Sequence, residues 1–234
     1  MTSIYDIALN NSHKALYKLE HYFHIYDKYL SRYRNSPVRI LEIGVCDGGS
    51  LDMWSDYFGE KAVIYGLDIN PHVYGFSNRN THIIIADQED RDSLEHLFKN
   101  ELPFDIIIDD GGHMQSQQKN SFEALFPLLH QNGIYIVEDI QTSYWKSFDG
   151  GLRCSNSFIE FSKQILDYVN IDHFRTEDTI PLYHPLKISL QKHLTAVSFY
   201  DGMVVFTKGD KTPKRPIHYY GNGNISIDSI MDLK

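Results

Sequence analysis

At 234 residues, with 42% hydrophobic and 23% charged residues and a net charge of −9, the chain can bury one sizeable core, and its composition excludes a disordered middle. The acidic balance argues against a general nucleic-acid or anionic-membrane surface. No window is apolar enough for a membrane span, and the start of the chain lacks the basic and apolar regions of a signal peptide, so a cytoplasmic location is expected. The two cysteines, Cys46 and Cys154, are read as free thiols.

Along the chain, Leu16, Leu19, Tyr22, Phe23, Tyr26 and Leu30 recur at spacings of three and four, which predicts an amphipathic helix from about Ser12 to Arg34, closed by Pro37. Val38 to Val45 is the first strong strand. It runs into a glycine-rich turn, Gly44-Val45-Cys46-Asp47-Gly48-Gly49-Ser50, before helical spacing resumes at Leu51, Trp54 and Phe58, the start of a βαβ unit. A second strand, Val63 to Ile69, carries Asp68 at its end, and a third, His82 to Ala86, runs into Asp87-Gln88. Asp92 and Ser93 are plausible caps of a helix through Leu94, Leu97 and Phe98. Helical spacing returns from Ser116 to His130, with Asn132-Gly133 read as its C-cap, and again from Asn156 to Val169. Near the end, two apolar runs flank Asp201-Gly202, a hairpin signal. After Gly209 the chain turns polar, with Lys211, Lys214, Arg215 and the stretch from Gly221 to Asn224, and a loosely held tail is expected.

The stretch that organises this pattern is Ile106-Ile107-Ile108-Asp109-Asp110-Gly111-Gly112-His113, answered by Ile134-Tyr135-Ile136-Val137-Glu138-Asp139. Each is an apolar, β-branched run of the kind found in strands buried on both faces, and each ends in two carboxylates. At the carboxyl edge of an open α/β sheet, where ligands bind, four carboxylates and one histidine suit a divalent metal with a base beside it. The alternative is that Asp109 and Asp110 cap a helix, that Glu138 and Asp139 form surface pairs, and that His113 is structural. In the glycine turn, Cys46 stands where a dinucleotide fingerprint wants its second glycine, and Asp47 lies close to where a phosphate would sit. Those two residues favour a ligand without phosphate. S-adenosylmethionine fits, with Gly44 giving backbone access, Asp68 accepting both ribose hydroxyls and Asp87 facing the adenine amine. A bare strand-to-helix turn is the alternative.

The motifs Leu41-Glu42-Ile43-Gly44, Gly49-Ser50-Leu51-x-Met53-Trp54, Tyr65-Gly66-x-Asp68-Ile69, Asp87-Gln88, Asp109-Asp110-Gly111-x-His113 and Glu138-Asp139-x-Gln141-Thr142-Ser143-Tyr144-Trp145 together resemble the metal-dependent sugar O-methyltransferases of macrolide biosynthesis, which are class I S-adenosylmethionine-dependent methyltransferases. The resemblance covers about residues 38 to 145. It implies Mg²⁺ held by Asp110, Glu138 and Asp139, with His113 as the base. It also implies a cofactor site built from Glu42, Gly44, Ser50, Asp68, Asp87, Gln88 and Asp109, with Asp109 either facing the cofactor or supporting the turn. Tyr144 and Trp145 would wall the acceptor pocket or enter the core.

The expected fold is α/β, a doubly wound and mainly parallel Rossmann-like sheet with an antiparallel C-terminal hairpin. A helical segment over 1–37 precedes a methyltransferase domain over 38–208 and a polar tail over 209–234. The expected function is Mg²⁺-dependent methylation of a sugar or glycoside hydroxyl. Neither nucleic acid nor membrane is an expected partner, and the oligomeric state, a homo-oligomer included, stays open. A catechol-like diol acceptor, a nucleotide-binding dehydrogenase and a non-catalytic module are the rival readings.

Overall fold

A computed structural model of the chain describes residues 2–10, 14–173, 186–212, 217–219 and 225–227. The elements in order are α1 (Ile4–Asn10), α2 (Tyr22–Leu30), β1 (Arg39–Ile43), α3 (Gly49–Phe58), β2 (Val63–Asp68), β3 (Thr81–Ile85), α4 (Arg91–Phe98), β4 (Phe104–Asp109), α5 (Gln115–Leu125), β5 (Leu129–Val137), α6 (Phe158–Ile165), α7 (Lys187–His193), β6 (Leu194–Tyr200), β7 (Met203–Lys208), β8 (Ile217–Tyr219) and β9 (Ile225–Ile227). Seven strands form one sheet in the order β3-β2-β1-β4-β5-β7-β6. The pairs among β1 to β5 are parallel and β7 is antiparallel to both its neighbours. The mainly parallel sheet and its terminal hairpin are therefore as expected, and Gly202 takes the positive φ of 70° that the hairpin turn requires.

Side chains alternate between two apolar layers. Ile106, Ile108, Ile134, Ile136 and Val205 pack on the α2–α3 side with Tyr22, Tyr26, Trp54 and Phe58. Ile107, Tyr135, Val137, Val204 and Phe206 pack on the opposite side with Phe122 and Phe126. With both faces covered, the period-two signal of a strand disappears, leaving the unbroken apolar runs of β4 and β5. The parity also decides which carboxylate goes where. Even-numbered positions of β1, and of β4 and β5 from Ile106 and Ile134 onward, face the α2 side, and Glu42, Asp110 and Glu138 meet Lys18 there, whereas Asp109 points to the other side and accepts from Ser121.

Several local expectations are corrected. In place of one helix from Ser12, α1 and α2 are separated by residues 14–19, which have neither helix nor strand; Ser12 itself lies outside the described residues. Asn132-Gly133 is no helix C-cap. The α5 helix ends at Leu125, Pro127 lies in a 3₁₀ turn over Phe126–Leu128, and Asn132, at φ 67°, lies within β5. The cap of α4 is Asp90, whose carboxylate accepts from the Ser93 amide at 3.0 Å. In the polar C-terminal stretch, β8 and β9 pair antiparallel, a departure from a loose tail. Lys214, Arg215 and 221–224 lie outside the described residues.

Candidate functional site

The carboxyl ends of β1, β2, β4 and β5 surround a cleft of about 440 Å³, within the range of about 300–1,000 Å³ usual for small-molecule sites. At three of these strand ends a residue other than glycine takes the left-handed backbone conformation: Cys46 (φ 49°), His113 (φ 60°) and Asp139 (φ 52°). Each such residue costs about 1–3 kcal/mol and persists where surrounding structure holds it, a feature of binding sites. Gly44, at φ 89°, turns the chain so closely under the loop after β4 that a Cβ would collide with the backbone oxygen of Asp110.

The cofactor half of the expected site is largely assembled. Gly44, Ser50, Asp68, Asp87 and Gln88 all line the cleft. Asp68 braces the turn, its Oδ2 accepting from the amides of Val45 (2.8 Å) and Cys46 (3.2 Å), and its Oδ1 from Asn70 (2.8 Å). Asp109 and Glu42 sit behind the cleft wall, both fully buried. Of its two expected roles Asp109 takes the second, since it accepts from Gln88 Nε2 (3.0 Å), Ser121 Oγ and the Gly111 amide, and so supports the turn. Burial pushes its carboxyl up, against the pull of the Ser121 and Gln88 donors. Glu42 accepts from Ser50 Oγ (2.6 Å) and Trp54 Nε1 (3.1 Å), and burial raises its carboxyl as well.

The acidic half holds a residue that sequence reasoning missed. From the strap at 14–19, Lys18 inserts an ammonium whose side chain is 2% exposed. Its Nζ lies 2.6 Å from Asp110 Oδ2, 3.1 Å from each oxygen of Glu138 and 3.4 Å from Glu42 Oε1. Burial pulls this ammonium down, but Asp110 and Glu138 outweigh it and hold it well above the ordinary lysine value. Glu138, fully buried, is pushed up to about 8 by burial and by the Asp110 charge, against the pull of Lys18 and Tyr26. One ammonium cannot offset three carboxylates, so Lys18 stays charged while Glu138 is left short of positive charge. Asp139 adds a fourth carboxylate, and the cluster as a whole suits a further cation. Asp110, His113 and Asp139 offer ligand atoms within 4.8 Å of one another. Glu138 points instead to Lys18 and to Tyr26, whose hydroxyl donates to its Oε1 at 2.6 Å.

Tyr22, one turn before Tyr26 on α2, donates to Asp139 Oδ1 at 2.8 Å. These two tyrosines were also missed, although their signal was present: phenols four apart on the buried face of a helix need polar partners at their tips. Lys18 had no such signal, because the helical spacing read through Leu16 and Leu19 gives no hint of a buried ammonium between them. His113 lines the cleft and turns Nε2 toward the carboxylates, 3.5 Å from Asp139 Oδ2 and 3.9 Å from Asp110 Oδ1. Its Nδ1 is buried without a hydrogen-bond partner. At those distances Nε2 makes no hydrogen bond to either carboxylate. Tyr144 and Trp145 are 47% and 50% exposed, outside the core, just beyond the acidic end of β5.

Residues 41–140 match the family model described as a methyltransferase domain. The chain is 42% identical over 132 residues to demethylmacrocin O-methyltransferase of Streptomyces fradiae, an alignment covering 53% of this chain and 33% of that protein. It is 39% identical over 156 residues to mycinamicin VI 2''-O-methyltransferase of Micromonospora griseorubida, covering 62% and 38% respectively. Among solved structures it is similar to the MycE methyltransferase of the mycinamycin biosynthetic pathway in complex with Mg, SAH and mycinamycin VI. The TM-score is 0.77 at 29% identity, over 89% of this chain and 54% of that one. The chain spans from 33% to 48% of the length of the curated relatives it matches.

Proposed function

We propose, from the premise that residues 41–140 carry a methyltransferase domain, that the protein transfers a methyl group from S-adenosylmethionine to a hydroxyl of a sugar or glycoside with the help of Mg²⁺. The observation that carries this proposal is the meeting of two half-sites at one sheet edge, where the cleft beside Asp68 opens onto the Asp110 and Asp139 carboxylates with His113 between them. Relatives named as O-methyltransferases of a rhamnosyl tetracenomycin-C and of L-olivosyl-oleandolide support the acceptor class, and the structural relative in complex with Mg and SAH supports both cofactors.

The residues present fit both groups. A cluster of carboxylate oxygens only partly offset by Lys18 suits a hard divalent cation, and the cleft offers the carboxylate of Asp68 and the close backbone of Gly44 to a ribosyl group. When bound, the cation lowers the pKa of an acceptor hydroxyl and the sulfonium supplies the methyl group. Asp110, Glu138 and Asp139 would hold the cation. Tyr22 and Tyr26 fix Asp139 and Glu138 in place through the hydrogen bonds that they donate. His113 Nε2 takes the hydroxyl proton as the oxygen becomes a nucleophile. The half-exposed rings of Tyr144 and Trp145 offer faces on which a sugar can pack.

The test is a screen of glycoside and catechol acceptors with methyl-labelled cofactor, run with Mg²⁺ and with excess chelator. Label should pass to a glycoside, stop with chelator and return with Mg²⁺. Transfer to catechols alone would replace the acceptor class, undiminished turnover in chelator would remove the metal, and failure to bind either the cofactor or its demethylated product would refute the whole proposal.

A further inference from the structure

The Lys18 ammonium sits on two of the carboxylates assigned above to the metal. It reaches one oxygen of Asp110 and both oxygens of Glu138, so the positive charge this cluster needs is at present supplied by the protein's own chain. Two cations drawn to the same oxygens at contact distance repel each other, and a divalent ion with its tighter oxygen coordination outcompetes a single ammonium.

The segment that carries Lys18 is only partly anchored apart from it: Leu16 packs against the core and the Lys14 ammonium lies 4.7 Å from the Phe76 ring centroid. Tyr17 and Leu19, on either side, are 74% and 44% exposed. Lys14 contributes a partly exposed ion pair with Asp52 at 2.9 Å, of a kind worth little. Yet Ala15, Leu16, Tyr17 and Lys18 all wall the cofactor cleft, and Ala15 lies so close to the start of α3 that only glycine fits at position 49. The ammonium also has another place to go. Lys18 borders a second cavity of about 400 Å³, lined also by Glu20, whose Oε1 accepts from the Tyr5 hydroxyl at 3.0 Å.

Resting on the assignment of Asp110 and Glu138 as metal ligands, we propose that Lys18 is a tethered counter-ion of the metal seat. A divalent cation binds by displacing its ammonium toward Glu20, and the displacement frees the 14–19 strap that walls the cofactor cleft. Lys18 thereby sets the affinity for the metal and links metal binding to access at the cofactor cleft.

The experiment uses the full chain without cofactor or acceptor and Mn²⁺ as the probe ion, with free Mn²⁺ followed by electron paramagnetic resonance. Lys18→Met should bind Mn²⁺ at least about tenfold tighter than the wild type, the scale expected when a competing contact charge is removed, while Lys18→Arg, which keeps the charge, should show no gain. In the wild type, saturating Mn²⁺ should speed tryptic cleavage of the Lys18–Leu19 bond, although ligand binding ordinarily protects a protein from proteolysis. Equal or weaker Mn²⁺ binding by a folded Lys18→Met protein overturns the inference and leaves the metal site standing. Absence of Mn²⁺ binding in both proteins overturns the site and the inference together. The cleavage measurement needs no variant, and slower or unchanged cleavage with Mn²⁺ bound also overturns it.

Discussion

Replacing Asp68 by asparagine tests the cofactor half of the site with a change of one atom. A carboxylate offers about four lone-pair positions, and three of those on Asp68 are taken by the amides of Val45, Cys46 and Asn70. Both positions on Oδ2 are engaged, which leaves one on Oδ1 for a ribose hydroxyl, one fewer than the pair of hydroxyls expected from sequence. In Asp68→Asn the side-chain oxygen will keep the two amides of the glycine turn, because the opposite orientation would set an NH₂ group against both. The NH₂ then faces the exposed Asn70 amide and the ribose. The fold should lose about 1 kcal/mol for the unpaired, hydrated amide, and the cofactor about 1.5–3 kcal/mol for a charged acceptor turned donor, or roughly 10- to 100-fold in Kd. Calorimetry with S-adenosylhomocysteine and a parallel thermal melt separate the two effects. A Kd within twofold of wild type, with the melt lowered as expected, would show that Asp68 only braces the turn.

Three further outcomes are expected. His113→Asn, chosen because asparagine tolerates the φ of 60° there, should leave cofactor and Mn²⁺ affinities intact and lower kcat by about 10²–10⁴-fold; a single-turnover rate within a few-fold of wild type would make His113 structural. Gly44→Ala should destabilise the fold by about 2–4 kcal/mol through φ strain and the collision with Asp110, and in protein that still folds it should weaken Mn²⁺ binding by moving that residue. At the opposite end of the sheet, Lys208 donates to the carbonyls of Phe126, Pro127 and Leu129 at 3.3, 2.9 and 2.7 Å, and burial pushes its ammonium down to about 8. Its folded pKa lies below its unfolded value, so between about pH 8 and 10 the unfolded chain binds more protons and stability should rise with pH. The slope should stay under about 1.4 kcal/mol per unit, since the three carbonyls favour the charged form; melts of Lys208→Met with the same slope would refute the assignment.

The elements legible in the sequence were those whose signal is local. Strands β4 and β5 announce themselves because both faces are buried over the apolar runs Ile106–Ile108 and Ile134–Val137, and the terminal hairpin because Asp201-Gly202 forces a reversal. The cofactor side of the site was similarly exposed to reading, since Gly44, Asp68, Asp87 and Gln88 follow directly on strands and so reach the sheet edge together. What was hidden was non-local. The helical spacing through Leu16 and Leu19 was misleading, because their segment packs across the top of the sheet and gains its contacts from α3 and the acidic cluster instead of from its own turns. Asp139 shows a second limit. Strand alternation would send it to the opposite side from Glu138, but its left-handed backbone turns it back toward Tyr22 and His113, and no feature of the residue itself announces that conformation.

These hidden contacts share one location. The residues that contact the cofactor cleft from the sheet edge fall within 41–140, the part that matches the methyltransferase domain, whereas Lys18, Tyr22 and Tyr26, which hold the carboxylates of Asp110, Asp139 and Glu138 in place, all precede it. A buried carboxylate without donors protonates or unfolds its surroundings. The acidic seat is therefore a property of the core and its N-terminal cover together, and substitutions on α2 or the strap should alter metal affinity without touching any residue of the glycine turn. The parity of the sheet explains why this is structurally required. Glu42, Asp110 and Glu138 lie on or just after three neighbouring strands on the face that α2 and α3 cover, so their donors come from what packs there: Ser50 and Trp54 of α3 serve Glu42, and the N-terminal segment supplies Lys18 to all three and Tyr26 to Glu138.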